Sequence, residues 1–209
     1  MNLARRERHA LCDLALGLGP DAPTLCEGWT ARDLVAHLLV RERSPLAGVG
    51  IAVPPLAGLT ERAMARTAAA PFEKSVASLR GVGLTPFRLP GVEWLANTVE
   101  YVVHHEDLRR GQAGWSPREL PQGDEDTLWA QLRFLGRMVA RRAGVPLVVR
   151  RSDVPAQSLT LLGGDRPAEV IGRPSELVLM LSGRTELADL EWLGDRANLQ
   201  RLREADLSA

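Results

Sequence analysis

The stretch NTVEYVVHHEDLRR, residues 97–110, sets acids and imidazoles at helical spacing within an apolar framework. On an α-helix each residue advances by about 100°, so Asn97, Glu100, His104 and Asp107 fall on one stripe. Ala96 and Val103 flank it on one side, Tyr101 and Leu108 on the other. A polar stripe with apolar shoulders faces something polar inside a packed body, or follows a groove. An unpaired carboxylate there is costly and needs a partner. Glu100 and His104, at i and i+4, can converge on one point, whereas His105 lies a further 100° or so round the helix.

A partner histidine lies upstream. In TARDLVAHLL, residues 30–39, His37 sits at the edge of the apolar face made by Leu34, Val35, Leu38 and Leu39. Two ligands on one helix and one histidine from a neighbour is how bundles build metal sites in their cores. Two imidazoles and a carboxylate suit Zn²⁺ with an open fourth position, and Ni²⁺ or Fe²⁺ tolerate the same donors. Taken singly, His37 also fits a hydrogen-bonded core residue, and an E-x3-H pair is common on helices. The zincin signature HExxH is absent, because the fifth position counted from His105 is Arg109. His9, on a charge-rich first helix, is expected to be solvated.

The rest of the chain is organised around these helices. Residues 3–16 recur helically and end at GLGPDAP, 17–23. The next helix has Thr30 as N-cap with Asp33 three positions on, and stops before Pro45. Residues 46–58, LAGVGIAVPPLAG, read as a loop packed over the body. A broken helical pair follows at 59–69 and 72–80, split by Pro71. One helix runs from 91 to 111 and another from 124 to 143, the latter beginning in acids and ending in arginines as the helix dipole favours. That pattern is an antiparallel helical bundle. From Val145 the character changes: VPLVVRRSD, SLTLLGG and RPAEVIG are β-favouring runs. RPSELVLMLSGR is then a helix with Pro174 in its first turn, ADLEWLGD a strand and DRANLQRLREADL a closing helix. The expected division is a bundle over 1–144 and a small α+β domain over 145–209.

Composition excludes several functions. Twenty-six basic residues balance 26 acidic ones, which removes any global attraction to nucleic acid or anionic lipid. No run of about 18 apolar residues occurs, and the opening segment is unlike a signal peptide, so a cytoplasmic protein is expected. Cys12 and Cys26 are then reduced, form no CxxC pair, and read as small buried hydrophobes. No GxxxxGK[ST], strand–GxGxxG–helix or GxSxG motif appears, so nothing supports nucleotide binding or a serine nucleophile.

LCEGWTARDLVAHL, residues 25–38, followed by NTVEYVVHHEDLRR resembles the mycothiol-dependent maleylpyruvate isomerase family, in particular its metal-binding members. Gly28, Trp29, Asp33 and His37 match a GW-x3-D-x3-H segment, and Glu100, His104, His105 and Asp107 match E-x3-H-H-x-D. The resemblance implies a DinB-like four-helix bundle followed by a small C-terminal α+β domain. It implies a metal held by His37, Glu100 and His104, with mycothiol as the arriving thiol and a small electrophile as substrate. It also implies an arginine near the active site, matched here by Gly183-Arg184, which the helix 174–182 would present to the metal cavity. Asp107 could orient His104, and His105 could serve structurally or as an acid/base. The expected activity is a metal-dependent, thiol-using isomerase or S-transferase. The rival from another class is a non-catalytic metal- or ligand-binding sensor or scaffold.

Overall fold

The computed structural model describes residues 1–43, 57–81 and 90–207. It comprises two compact units, Met1–Ser116 and Pro117–Ala209. In the first unit the described helices are α1 (Leu3–Leu18), α2 (Ala31–Arg43), α3 (Ala57–Ala68), α4 (Phe72–Arg80) and α5 (Pro90–Arg110). With α3 and α4 as one broken member, they form the expected helical bundle. The loop expected over 46–58 lies outside the described residues except for its last two positions, which begin α3.

Local chemistry starts and stops these helices. Asn2 caps α1 by accepting from the Arg5 amide at 3.0 Å. Before α2, Asp33 Oδ2 accepts from both the amide and the hydroxyl of Thr30, at 2.9 and 2.7 Å. The apolar faces then close on one core that includes Leu11, Leu34, Val35, Leu38, Phe72, Val76, Leu79, Tyr101 and Leu108. Each such side chain removed from water contributes roughly 1.5–3 kcal/mol.

A buried polar clamp pins α1, α2 and α5 to one another. The Arg8 guanidinium pairs with both carboxylate oxygens of Glu42 and lies 4.5 Å from the Tyr101 ring centroid. Tyr101 Oη donates to Glu42 at 2.8 Å and Asn97 Nδ2 donates at 3.2 Å. Burial pushes the Tyr101 phenol well above its ordinary pKa, so it stays a donor. His9 is half-buried on α1.

Between α1 and α2 the chain is held against the end of α5. A Cβ on Gly111 would stand 2.5 Å from the Pro23 carbonyl oxygen, so only glycine allows this approach. The Leu25 amide donates to the Asp107 carbonyl at 3.0 Å, and Gln112 Nε2 donates to the Pro23 carbonyl at 2.8 Å. Gly28, at φ +74°, turns the chain so that the Trp29 amide reaches the Cys26 carbonyl.

The second unit contains α6 (Gln122–Ala143), β1 (Leu147–Arg151), β2 (Ser158–Leu162), β3 (Ala168–Gly172), α7 (Pro174–Leu181), β4 (Glu191–Gly194) and α8 (Arg196–Glu204). The sheet order is β2-β1-β3-β4, with β1 and β3 parallel and the outer pairs antiparallel. Strands β1 and β3 alternate buried and half-buried residues, as a sheet covered on one face requires. Helix α6 packs on β2 and α7, its Gly136 against Leu161 and Leu181. Compactness therefore divides the chain between Ser116 and Pro117 and places α6 with the sheet, whereas the sequence changes character near residue 144, where β structure begins. The physical reason is that an amphipathic helix declares a buried face without declaring which unit covers it.

Candidate metal centre

His37 stands two turns into α2, and Glu100 and His104 stand one turn apart on α5. The bundle brings them together. His37 Nε2 lies 3.2 Å and His104 Nε2 3.3 Å from the same oxygen, Glu100 Oε1. One ligand atom from each residue falls within 4.8 Å of the others. The two imidazoles meet edge to face with centroids 5.1 Å apart, and Trp29 lies 5.0 Å from the His37 ring. Both histidines are 8% exposed, and the Glu100 side chain is 23% exposed, so the cluster is buried but reachable from solvent.

Neighbouring groups orient two of the three donors, His104 and Glu100. His104 Nδ1 is 2.9 Å from Asp107 Oδ2, so an Nδ1–H donated to that carboxylate leaves the Nε2 lone pair facing Glu100 and His37. Arg41, one turn beyond His37, places Nε 3.3 Å from Glu100 Oε1 and donates to Asn97 Oδ1 and the Ala96 carbonyl. Arg41 went unread in the sequence, although its i+4 spacing from His37 was a usable signal. Cys26 also departs from the expected buried apolar role: it is half-buried, and its thiol donates to Asp107 Oδ2 at 3.2 Å. No sequence signal connects it with residues so far along the chain.

The electrostatics follow from these contacts. Burial disfavours the Glu100 carboxylate, but bonds from His104 and His37 and the charges of His104 and Arg41 outweigh it, holding the carboxyl well below its ordinary pKa. Burial likewise opposes protonation of His104, yet Asp107, Cys26 and Glu100 together raise its pKa well above the usual imidazole value. For His37 burial prevails over the Glu100 bond and lowers the pKa, favouring neutral imidazole.

His105 points elsewhere. Its Nδ1 lies 2.8 Å from Glu7 Oε2 in a buried pair between α5 and α1. Arg184 follows α7 in the second unit, where its Nη1 donates to the Ser182 carbonyl at 2.5 Å, a helix-end contact.

Residues 4–54 match the family described as the mycothiol maleylpyruvate isomerase N-terminal domain. A crystal structure of the mycothiol-dependent maleylpyruvate isomerase aligns with a TM-score of 0.60 at 18% identity, over 91% of this chain and 90% of that one. A histidine-to-alanine mutant of that isomerase aligns with a TM-score of 0.59, again at 18% identity over 91% and 90%. No curated protein sequence matches the chain. Residues 4–54 thus carry the pattern of the mycothiol maleylpyruvate isomerase N-terminal domain, and the chain has the fold of that isomerase, a helical bundle followed by an α+β unit.

Proposed function

We propose that the chain binds one divalent ion, best matched by Zn²⁺, through His37, Glu100 and His104. On this reading it is a thiol-dependent isomerase or transferase with mycothiol as cosubstrate and a small electrophilic substrate. The observation that carries the proposal is the donor triangle. Two imidazole nitrogens stand 3.2 and 3.3 Å from one carboxylate oxygen, close to the roughly 3.3 Å separating such donors around tetrahedral zinc. Nitrogen and oxygen donors fit the ion, and Ni²⁺ or Fe²⁺ accept the same set.

When bound, a divalent ion supplies Lewis acidity that lowers the pKa of a coordinated thiol. The chain's own residues do the rest. Asp107 holds the His104 ring with Nε2 turned to the centre, and Arg41 restrains the Glu100 carboxylate. The Arg41 guanidinium also sets a fixed positive charge beside the Glu100 carboxylate. Trp29 packs against the His37 ring, with centroids 5.0 Å apart. Neither Cys12 nor Cys26 is required as nucleophile, because the reacting thiol arrives as cosubstrate. The small α+β unit resembles in fold that of the isomerase named above, which supports the same class of chemistry.

The test is mycothiol consumption and product formation by zinc-loaded protein with a panel of electrophiles that includes maleylpyruvate. Turnover abolished by His37→Ala supports the proposal. Tight zinc binding with no turnover on any thiol identifies a non-catalytic metal-binding protein instead. Zinc affinity unchanged in His37→Ala overturns the centre itself.

A further inference from the structure

The face of His104 turned away from Glu100 carries a second set of metal donors. Its Nδ1 lies 2.9 Å from Asp107 Oδ2 and 4.0 Å from Cys26 Sγ, and that sulfur lies 3.2 Å from the same oxygen. All three atoms fall within 4.8 Å of one another. Around tetrahedral zinc, with bonds of about 2.0–2.3 Å, such donors stand about 3.3–3.6 Å apart. Adjustments of about half an ångström would seat an ion. The set differs in kind from the first, because it contains a thiol and lacks a second imidazole.

Cys26 is held in this position by the fold. The Leu25 amide is bonded to the Asp107 carbonyl, and the Cys26 amide donates to Thr24 Oγ1 at 3.1 Å. Thr24 Oγ1 in turn donates to the Trp29 carbonyl at 2.9 Å, and the close approach of Gly111 fixes the strand of loop from Pro23 onward. Asp107 is fully buried, whereas Cys26 is half-buried and leaves a path for an ion from solvent. Cys12 is no competitor: it is fully buried, and burial pushes its thiol up to about 11.

We propose that Cys26, Asp107 and Nδ1 of His104 form a second metal position, selective for thiophilic ions, that competes with the first for His104. The binding half stands on the Cys26 cluster alone, and the competition half rests on the proposed centre at His37, Glu100 and His104. A neutral imidazole offers one lone pair. In the metal-free chain, where His104 carries a proton on each ring nitrogen, an ion at Nδ1 displaces the Nδ1 and Cys26 protons to solvent and leaves Nε2–H donating to Glu100 Oε1 at 3.3 Å. One chain therefore holds an ion on one side of His104 at a time. A thiolate donor favours soft ions such as Cd²⁺ or Cu⁺ over the harder divalent ions. A thiophilic ion would then unseat the metal of the first centre without touching His37.

Titrating metal-stripped chain with Cd²⁺ is expected to produce thiolate-to-cadmium charge-transfer absorption that saturates at one equivalent. The band should vanish in Cys26→Ser and persist in Cys12→Ala and His37→Ala. In unmodified protein Cd²⁺ should also shield Cys26 from iodoacetamide, read by peptide mass, which needs no variant. In chain preloaded with Co²⁺, one equivalent of Cd²⁺ should bleach the His37-dependent visible cobalt spectrum. No charge-transfer band in the unmodified chain, or a band surviving in Cys26→Ser, overturns the second position. A full band beside an intact cobalt spectrum overturns the sharing of His104. A normal cadmium band with no His37-dependent cobalt spectrum sinks the first centre and leaves the second standing.

Discussion

His104 and Asp107, one turn apart on α5, are joined by a 2.9 Å contact between Nδ1 and Oδ2. The Asp107 carboxylate is wholly buried, so its charge acts on the imidazole with little screening by water. It sets the ring's tautomer and orientation, and through them the direction of the Nε2 lone pair.

Asp107→Ala is accordingly expected to weaken zinc binding by about 10–100-fold, the range for losing the partner that orients a ligand histidine. Competition with a chromogenic chelator measures this. An unchanged zinc affinity would show that His104 is positioned by packing alone.

The Arg8–Glu42 pair should be strongly coupled, since both side chains are almost fully buried. Arg8→Met or Glu42→Gln is expected to cost about 3–5 kcal/mol, because each leaves a buried charge without its counterion. The double variant should lose less than the sum of the two, as read from denaturant midpoints. Simple additivity would contradict the clamp.

Gly111→Ala should be destabilising by about 1–3 kcal/mol, since its Cβ would meet the backbone of Pro23 and Thr24, which cannot step aside as a side chain can. The same variant should label faster at Cys26 with iodoacetamide, because the loop that carries the cysteine is displaced. A midpoint and labelling rate equal to the parent's would show that the loop finds another seat.

The acid limb of stability should carry the mark of Arg151. Bonding to Arg151 holds the Asp153 carboxyl below its ordinary pKa, with Gln122 adding to the effect against burial. A folded pKa below the unfolded one contributes stability that is present above the unfolded value and lost as pH falls through the folded one. Unfolding followed downward from about pH 5 should therefore show a loss of stability below about pH 4 that Arg151→Met removes. An identical acid slope in the variant would assign that loss to other carboxylates.

Arg184 has two readings that kinetics can separate. The sequence resemblance led to the expectation of a substrate-binding role, while the Arg184 Nη1 donates to the Ser182 carbonyl. If Arg184 anchors an acidic group of the substrate, Arg184→Lys raises KM about tenfold or more with zinc affinity intact, since lysine lacks the planar fork. Full activity in that variant would assign Arg184 to the helix end alone.

The i, i+4 spacing of Glu100 and His104 and the apolar edge position of His37 were legible in the sequence, because helical periodicity is a local property of the chain. The break at Pro71, the β-favouring runs after Val145 and the capping pair at Thr30 and Asp33 were readable for the same reason. What the sequence by itself determined, then, was which segments are helix or strand and which side chains share a face.

The partners of those faces came only from tertiary structure. The grouping of α6 with the sheet, the Arg41 contact to Glu100, the buried pairs Arg8–Glu42 and His105–Glu7, and the arrival of Cys26 at Asp107 all join residues remote in the chain. Periodicity constrains each helix to a direction of burial, but burial is non-directional in its choice of neighbour. Only close packing and the pairing of buried charges select one arrangement among those the pattern allows.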